Sequence, residues 1–248
     1  MTTTSETGHA KNVANLEELV SIVKGYGVAY NPSKASIKLI ALQTLAEDAK
    51  KSLHTLNEVF PVYSLAVADR EKAFSSLDTY STRILNALKA TDTPKQVIDD
   101  AKTIARKLQG KRATPKKTEE EKKIFATEGK EVIEISTSQL GFDDRLNNFD
   151  KLCKLLETIS EYIPNEADLK VTAIKERYTI MSDSNTAALD AGTALSNSRL
   201  NRNIILYLPV TGMVDNAKAS KKYIISLYGA TSPQYKQVSK LVFRSIKL

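Results

Sequence analysis

Apolar residues at Leu39, Leu42, Ala46, Ala49, Leu53, Leu56 and Phe60 follow alternating steps of three and four. The same spacing returns 132 positions later, at Val171, Ile174, Tyr178, Met181, Asn185, Ala188 and Gly192. A period of 3.5 held over three heptads calls for a helix packed lengthwise on others. The return is tied to local sequence as well. Tyr30-Asn31-Pro32 opens the first stretch and Tyr162-Ile163-Pro164 the second, with five identities in twelve aligned positions. A further pair of anchors, Ala90-Thr91-Asp92-Thr93-Pro94 and Ala230-Thr231-Ser232-Pro233, stands at an offset of 139 or 140. Self-similarity of this kind predicts two internal helical repeats.

The first seam predicts a rod capped by Ser33 and running to about Lys89, roughly 85 Å long at 1.5 Å per residue. Pro61 lies within it and predicts a kink; two helices meeting at Pro61 is the alternative. Thr93-Pro94 predicts a cap and first turn of a shorter helix ending at Gly110. A basic linker follows, and Thr118 ahead of Glu119, Glu120 and Glu121 predicts a connecting helix. Its apolar residues run from Phe125 through Val132, Ile135, Phe142, Leu146, Phe149 and Cys153 to Leu156, with Gly141 as a candidate break. The second repeat is expected to break at Pro209-Val210-Thr211-Gly212, continue to Tyr228, and close with a helix from Ser232. The organisation expected is a polar N-terminal tail and short helix over 1–29, repeat 1 over 30–110, a basic linker and connecting helix over 111–161, and repeat 2 over 162–248. The fold class expected is all-α: an elongated helical bundle of long kinked helices, with coiled-coil-like seams.

Composition narrows the function. Few glycines (9) and prolines (7), no Trp and 26% charged residues fit long helices better than a turn-rich β protein. The single Cys153 excludes an intramolecular disulfide and a multi-cysteine metal site. The N-terminus carries no apolar run, and no stretch reaches the ~20 apolar residues that span a bilayer. A soluble cytoplasmic protein is the expectation.

The net charge of +7 is unevenly spread. Lys102 to Lys117 holds seven basic residues and no acid, and so does Asn216 to Leu248. The candidate polyanion-binding residues are Lys102, Arg106, Lys107, Lys111, Arg112, Lys116 and Lys117 in the first segment. In the second, Lys236, Lys240, Arg244 and Lys247 are expected to form one stripe of a helix, with Val238, Val242 and Ile246 opposite. If both segments converge, they suit a polyanion, either nucleic acid or an anionic membrane surface. The simpler account is a solvated basic face that pairs with the acidic remainder of the chain.

The segments Asp100-Ala101-Lys102-Thr103-Ile104-Ala105-Arg106-Lys107-Leu108-Gln109-Gly110-Lys111-Arg112 and Gly229-Ala230-Thr231-Ser232-Pro233-Gln234-Tyr235-Lys236-Gln237 resemble a family of uncharacterised helical proteins common in Bacteroidota. The resemblance extends from about Tyr30 to the end. It implies a bacterial, all-helical protein and says nothing of catalysis.

Groups with catalytic potential are few. His54 lies between Glu47 and Glu58, but carries no Glu three residues earlier, and the only other histidine, His9, falls in the expected polar tail. Cys153 reads as a small core thiol rather than a nucleophile. Arg70 and Arg202 align at offset 132 and read as arginines whose stems pack on a seam. The most apolar window, Ile204 to Val214, is too short to span a membrane and reads as buried in a bundle. No catalytic, metal or cofactor site is expected. The function expected is a non-enzymatic structural or interaction protein that engages a protein partner or itself. Non-specific polyanion binding is the alternative and a membrane-active bundle the third reading, with a membrane partner not expected.

Overall fold

The computed structural model describes residues 6–111, 118 and 140–246, all helix, turn or irregular backbone. In chain order the α-helices are α1 (Glu6–Gly25), α2 (Leu39–Phe74), α3 (Leu77–Lys89), α4 (Lys95–Leu108), α5 (Phe142–Glu157), α6 (Val171–Tyr207), α7 (Met213–Tyr228) and α8 (Pro233–Ser239). The expected all-α class is observed. Residues 119–139, which hold most of the expected connecting helix, lie outside the described residues.

The chain forms two compact units. One comprises Met1–Ser64 with Asp190–Leu248, the other Leu65–Leu189. The first unit is centred on Leu16 and Leu19 of α1, Leu42 and Ala49 of α2, Leu206 of α6 and Ile224 of α7. The second gathers Phe74, Ile84 of α3, Ala105 of α4, Phe149 of α5 and Met181 of α6.

The seams predict the buried faces well. Leu42, Ala49, Ile174 and Met181 are completely enclosed, and Leu56 and Ala188 nearly so. Phe60 departs from this pattern and is half exposed. Gly192 does what a small seam residue allows: the Tyr63 ring lies 3.5 Å from where its Cβ would be.

The rod differs from the expectation at both ends. It begins at Leu39, because Ala35–Ile37 forms a 3₁₀ turn instead of a helix capped by Ser33. It passes through Pro61 as one helix but stops at Phe74, short of Lys89. No glycine ends it. Ser76 takes a left-handed conformation, φ 56°. Two arginines from elsewhere in the same unit satisfy the last carbonyls: Arg145 of α5 donates to Phe74 O at 3.0 Å and Arg177 of α6 to Ser75 O at 2.7 Å. Cations at a helix C-terminus also oppose its dipole, so the break is set by tertiary contacts that local sequence does not reveal.

The start of α4 also differs: Pro94 is the residue before the first helical position, Lys95, and the Thr93 hydroxyl pairs with Thr91 instead of capping the helix. The remaining ends follow their sequence signals. Gly110 closes α4 with φ 66°, and its N–H donates to Lys107 O while that of Lys111 donates to Arg106 O. This is the paired-bond C-cap that favours glycine. Ser232 caps α8, accepting the Tyr235 N–H, with Pro233 in the first position. Between α6 and α7 the expected break spans residues 208–212. The Thr211 N–H donates to Pro209 O at 2.8 Å, around Val210 at φ 70°. Only glycine fits at 212, where a Cβ would meet Leu208 O at 2.6 Å.

One local arrangement occurs in both units. Tyr30 donates its hydroxyl to Ile37 O at 2.8 Å, and Tyr162 to Leu169 O at 3.0 Å, each seven residues on. Each tyrosine precedes a 3₁₀ turn, Ala35–Ile37 or Ala167–Leu169, that leads into a long helix. Both tyrosines are buried.

Candidate functional site: the basic segments and their surroundings

The C-terminal segment is not the expected helical stripe. Helix α8 ends at Ser239, and residues 240–246 leave it without regular secondary structure. The side chains alternate: Leu241 and Phe243 enter the core while Val242 and Arg244 face out. Side chains of other helices hold this strap by its backbone. Asn12 of α1 donates to Arg244 O at 2.9 Å and accepts the Arg244 N–H at 3.0 Å; Asn15 donates to Val242 O at 2.8 Å. Lys221 of α7 donates to Ser239 O and Leu241 O. About two more helical turns, at 3.6 residues each, would have replaced these contacts and withdrawn Phe243 from the core.

Lys236 and Lys240 are exposed, and Lys240 pairs with Glu18 at 3.2 Å. Lys240 and Arg244 border a cleft of ≈ 440 Å³ with Lys11, Asn12, Asn15 and Glu18. Lys236 does not line it. Lys11 was missed because residues 1–29 were read as a tail and short helix. Val13, Leu16, Leu19 and Val23, all buried, are the helical signal that could have placed it. Two further basic residues of the segment, the exposed Lys218 and the half-buried Lys221, contact the strap. Lys218 donates to Ser245 Oγ at 2.8 Å, and burial among carbonyls pushes the Lys221 ammonium below its ordinary value. Lys247 lies outside the described residues.

The first basic segment belongs to the other unit. Lys102 is exposed on α4, Arg106 and Lys107 are half-buried in its last turn, and Lys111 is exposed just beyond Gly110. Arg112, Lys116 and Lys117 lie outside the described residues. The structure therefore assembles Lys240, Arg244 and Lys11 around one cleft and leaves Lys102, Arg106, Lys107 and Lys111 as part of α4 and its end.

His9 is the main correction among the titratable groups. It is buried in α1, with Nδ1 2.6 Å from the Tyr207 hydroxyl, which also accepts from Asn12 at 3.3 Å. His54 is exposed and pairs with Glu58 at 3.3 Å. Cys153 is buried, and desolvation, ahead of the nearby Asp150 and Glu157 charges, pushes its thiol up to about 12. A thiol held neutral is a poor nucleophile. Arg70 stacks over the Phe142 ring at 4.1 Å, whereas Arg202 is buried and donates to Asn203 Oδ1. Among the described residues no group of His, Cys, Asp and Glu side chains is placed to hold a metal ion, and no helix is long and apolar enough to cross a membrane.

The apolar window Ile204–Val214 is only partly buried. Leu206, Tyr207, Met213 and Val214 are enclosed. Leu200 and Ile204 on α6 and Leu208 just past its end, at four-residue steps, are 58%, 52% and 42% exposed, and Val210 at the turn is 67% exposed. Burial in a bundle is what the sequence predicts for this window; Ile204, Leu208 and Val210 instead face outward. The chain matches no known protein-family profile, no curated protein and no solved structure.

Proposed function

We propose that the protein is a non-enzymatic helical interaction protein that self-associates through the outward stripe of α6. The observation that carries this reading is the stripe itself: Leu200, Ile204 and Leu208, continued by Val210 at a strained turn. A β-branched residue at positive φ stores strain, and such strain concentrates where a surface has a task. Contiguous exposed apolar side chains on one helix face favour burial against another chain. A single face meeting its own copy about a two-fold axis is the simplest closed assembly. The scaffold is proposed to be a duplication, supported by the paired tyrosine turns and the matching buried positions of α2 and α6.

Polyanion binding is the second reading, supported by Lys11, Lys240 and Arg244 around one cleft. The Glu18–Lys240 pair and the half-buried Lys221, held by strap carbonyls, favour the simpler account, a basic face neutralised within the chain. Sedimentation velocity across a concentration series tests the first reading. The wild type should shift toward a dimer, and Leu200→Ser with Ile204→Ser should remain monomeric at every concentration. A wild type that stays monomeric throughout would remove the proposal.

A further inference from the structure

Most buried positions of helices α3 and α7 coincide when Leu77 is set on Met213: Tyr80 on Asn216, Ser81 on Ala217, Ile84 on Ser220 and Leu88 on Ile224. Each helix packs beside its own unit's tyrosine turn. Ten residues beyond Met213 stands Tyr223, and ten beyond Leu77 stands Ala87. In the first unit the Tyr223 ring fills the space against the turn. It meets the Tyr30 ring edge-on, with centroids 5.2 Å apart and planes at 87°, and its hydroxyl accepts the Asn31 N–H at 3.3 Å. In the second unit the corresponding space is open: a cleft of ≈ 540 Å³ bordered by Ala87, Tyr162, Ile163, Asn86, Asn165 and Glu166.

We propose that this cleft binds a small molecule carrying a hydroxyphenyl ring, which takes the place that Tyr223 occupies in the first unit. A methyl side chain at 87 leaves room for a ring, and Tyr162 supplies the edge-on aromatic partner that Tyr30 supplies to Tyr223. The polar wall differs in one respect. The Ile163 N–H donates to Glu161 O, so a ligand hydroxyl would be met by Asn86, Asn165 or Glu166 instead of by backbone. The volume lies within the range of small-ligand sites and admits a ring with a polar substituent. Arg83 and Asp168, bound to each other through two guanidinium–carboxylate contacts, link the middle of α3 to the turn beside the cleft. The inference rests on the register of the two helices, independently of self-association.

The test is titration of the full-length, isotope-labelled protein with p-cresol, followed by amide chemical shifts. Saturable shifts are expected at Ala87, Tyr162 and Ile163. Toluene, which lacks the hydroxyl, should bind roughly three- to tenfold more weakly, the effect of one hydrogen bond. Ala87→Tyr should keep the helical circular dichroism, gain thermal stability and abolish the saturable shifts. Ala87→Leu occupies the same space without a ring, and serves if the tyrosine variant does not fold. Absence of saturable shifts up to the solubility limit, equal affinity for toluene, or binding left intact by a folded Ala87 variant would each overturn the proposal.

Discussion

Removing the hydroxyl of Tyr30 should destabilise the protein more than removing that of Tyr162, although the two make the same turn. Tyr162 donates to one acceptor, Leu169 O. Tyr30 donates to Ile37 O and also lies 2.7 Å from Ser220 Oγ, which is fully enclosed. The corresponding position beside Tyr162 is the apolar Ile84. Each intramolecular hydrogen bond contributes about 1 kcal/mol net, and a buried partner left unpaired adds about 1–3 kcal/mol. By that sum Tyr162→Phe, which orphans the Leu169 carbonyl, is expected to lose about 2–4 kcal/mol, and Tyr30→Phe, which also takes the bond from Ser220, about 1–4 kcal/mol more. Ser220 can turn its hydroxyl to a carbonyl of the preceding helical turn, which places the second value toward its lower end. For a chain of this size the shifts in Tm are about 2–4 °C per kcal/mol. Thermal melts followed by circular dichroism measure both. Because two units need not melt together, hydrogen exchange at residues 35–38 and 167–170 assigns each loss to its own turn. Adding Ser220→Ala to Tyr30→Phe removes the orphaned hydroxyl, so the double variant should be more stable than the summed single losses. Equal losses at the two tyrosines, or strict additivity with Ser220→Ala, would refute the reasoning.

Ser76→Gly should raise the melting temperature, since a left-handed serine costs about 1–2 kcal/mol and glycine returns about half of that as unfolded-state entropy. Asn12→Ala should release the strap: amide exchange at Arg244 and Val242 should accelerate while α7 stays protected, as hydrogen-exchange mass spectrometry would show. Cys153 should resist thiol reagents at pH 8 until the protein unfolds. Its folded pKa is raised from 9.0 to about 12, so the stability it contributes is complete below pH 9 and is lost as pH rises toward 12. Denaturant melts between pH 8 and 11 should show that decline, and Cys153→Ala should lessen it, leaving the part due to the buried hydroxyls of Tyr30, Tyr80 and Tyr162.

What was legible in the sequence is what local chemistry decides. The spacing of Leu42, Ala49, Ile174 and Met181 follows from helical geometry, and the Ser232-Pro233 cap and the Gly110 terminator act within one turn. The end of α2 was not legible. A left-handed serine carries no signal of its own, and the arginines that receive the helix end come from residues 145 and 177. His9 looked like part of a polar tail because its partner, Tyr207, stands 198 positions away. The basic charges of the C-terminal segment were visible, but the helical stripe was not correct. Seven residues of α8 cannot outweigh the burial of Leu241 and Phe243 and the amide contacts from Asn12 and Asn15. The cleft at Ala87 was invisible in sequence, since an alanine acquires meaning there only beside the tyrosine at the matching place in the other unit.

Self-association through α6 is tested most directly by hydrogen exchange measured as a function of protein concentration. The account predicts that amides of residues 198–211 gain protection as concentration rises, while those of α4 and of the strap at residues 240–246 do not. Protection that grows elsewhere, or none that depends on concentration, would contradict it.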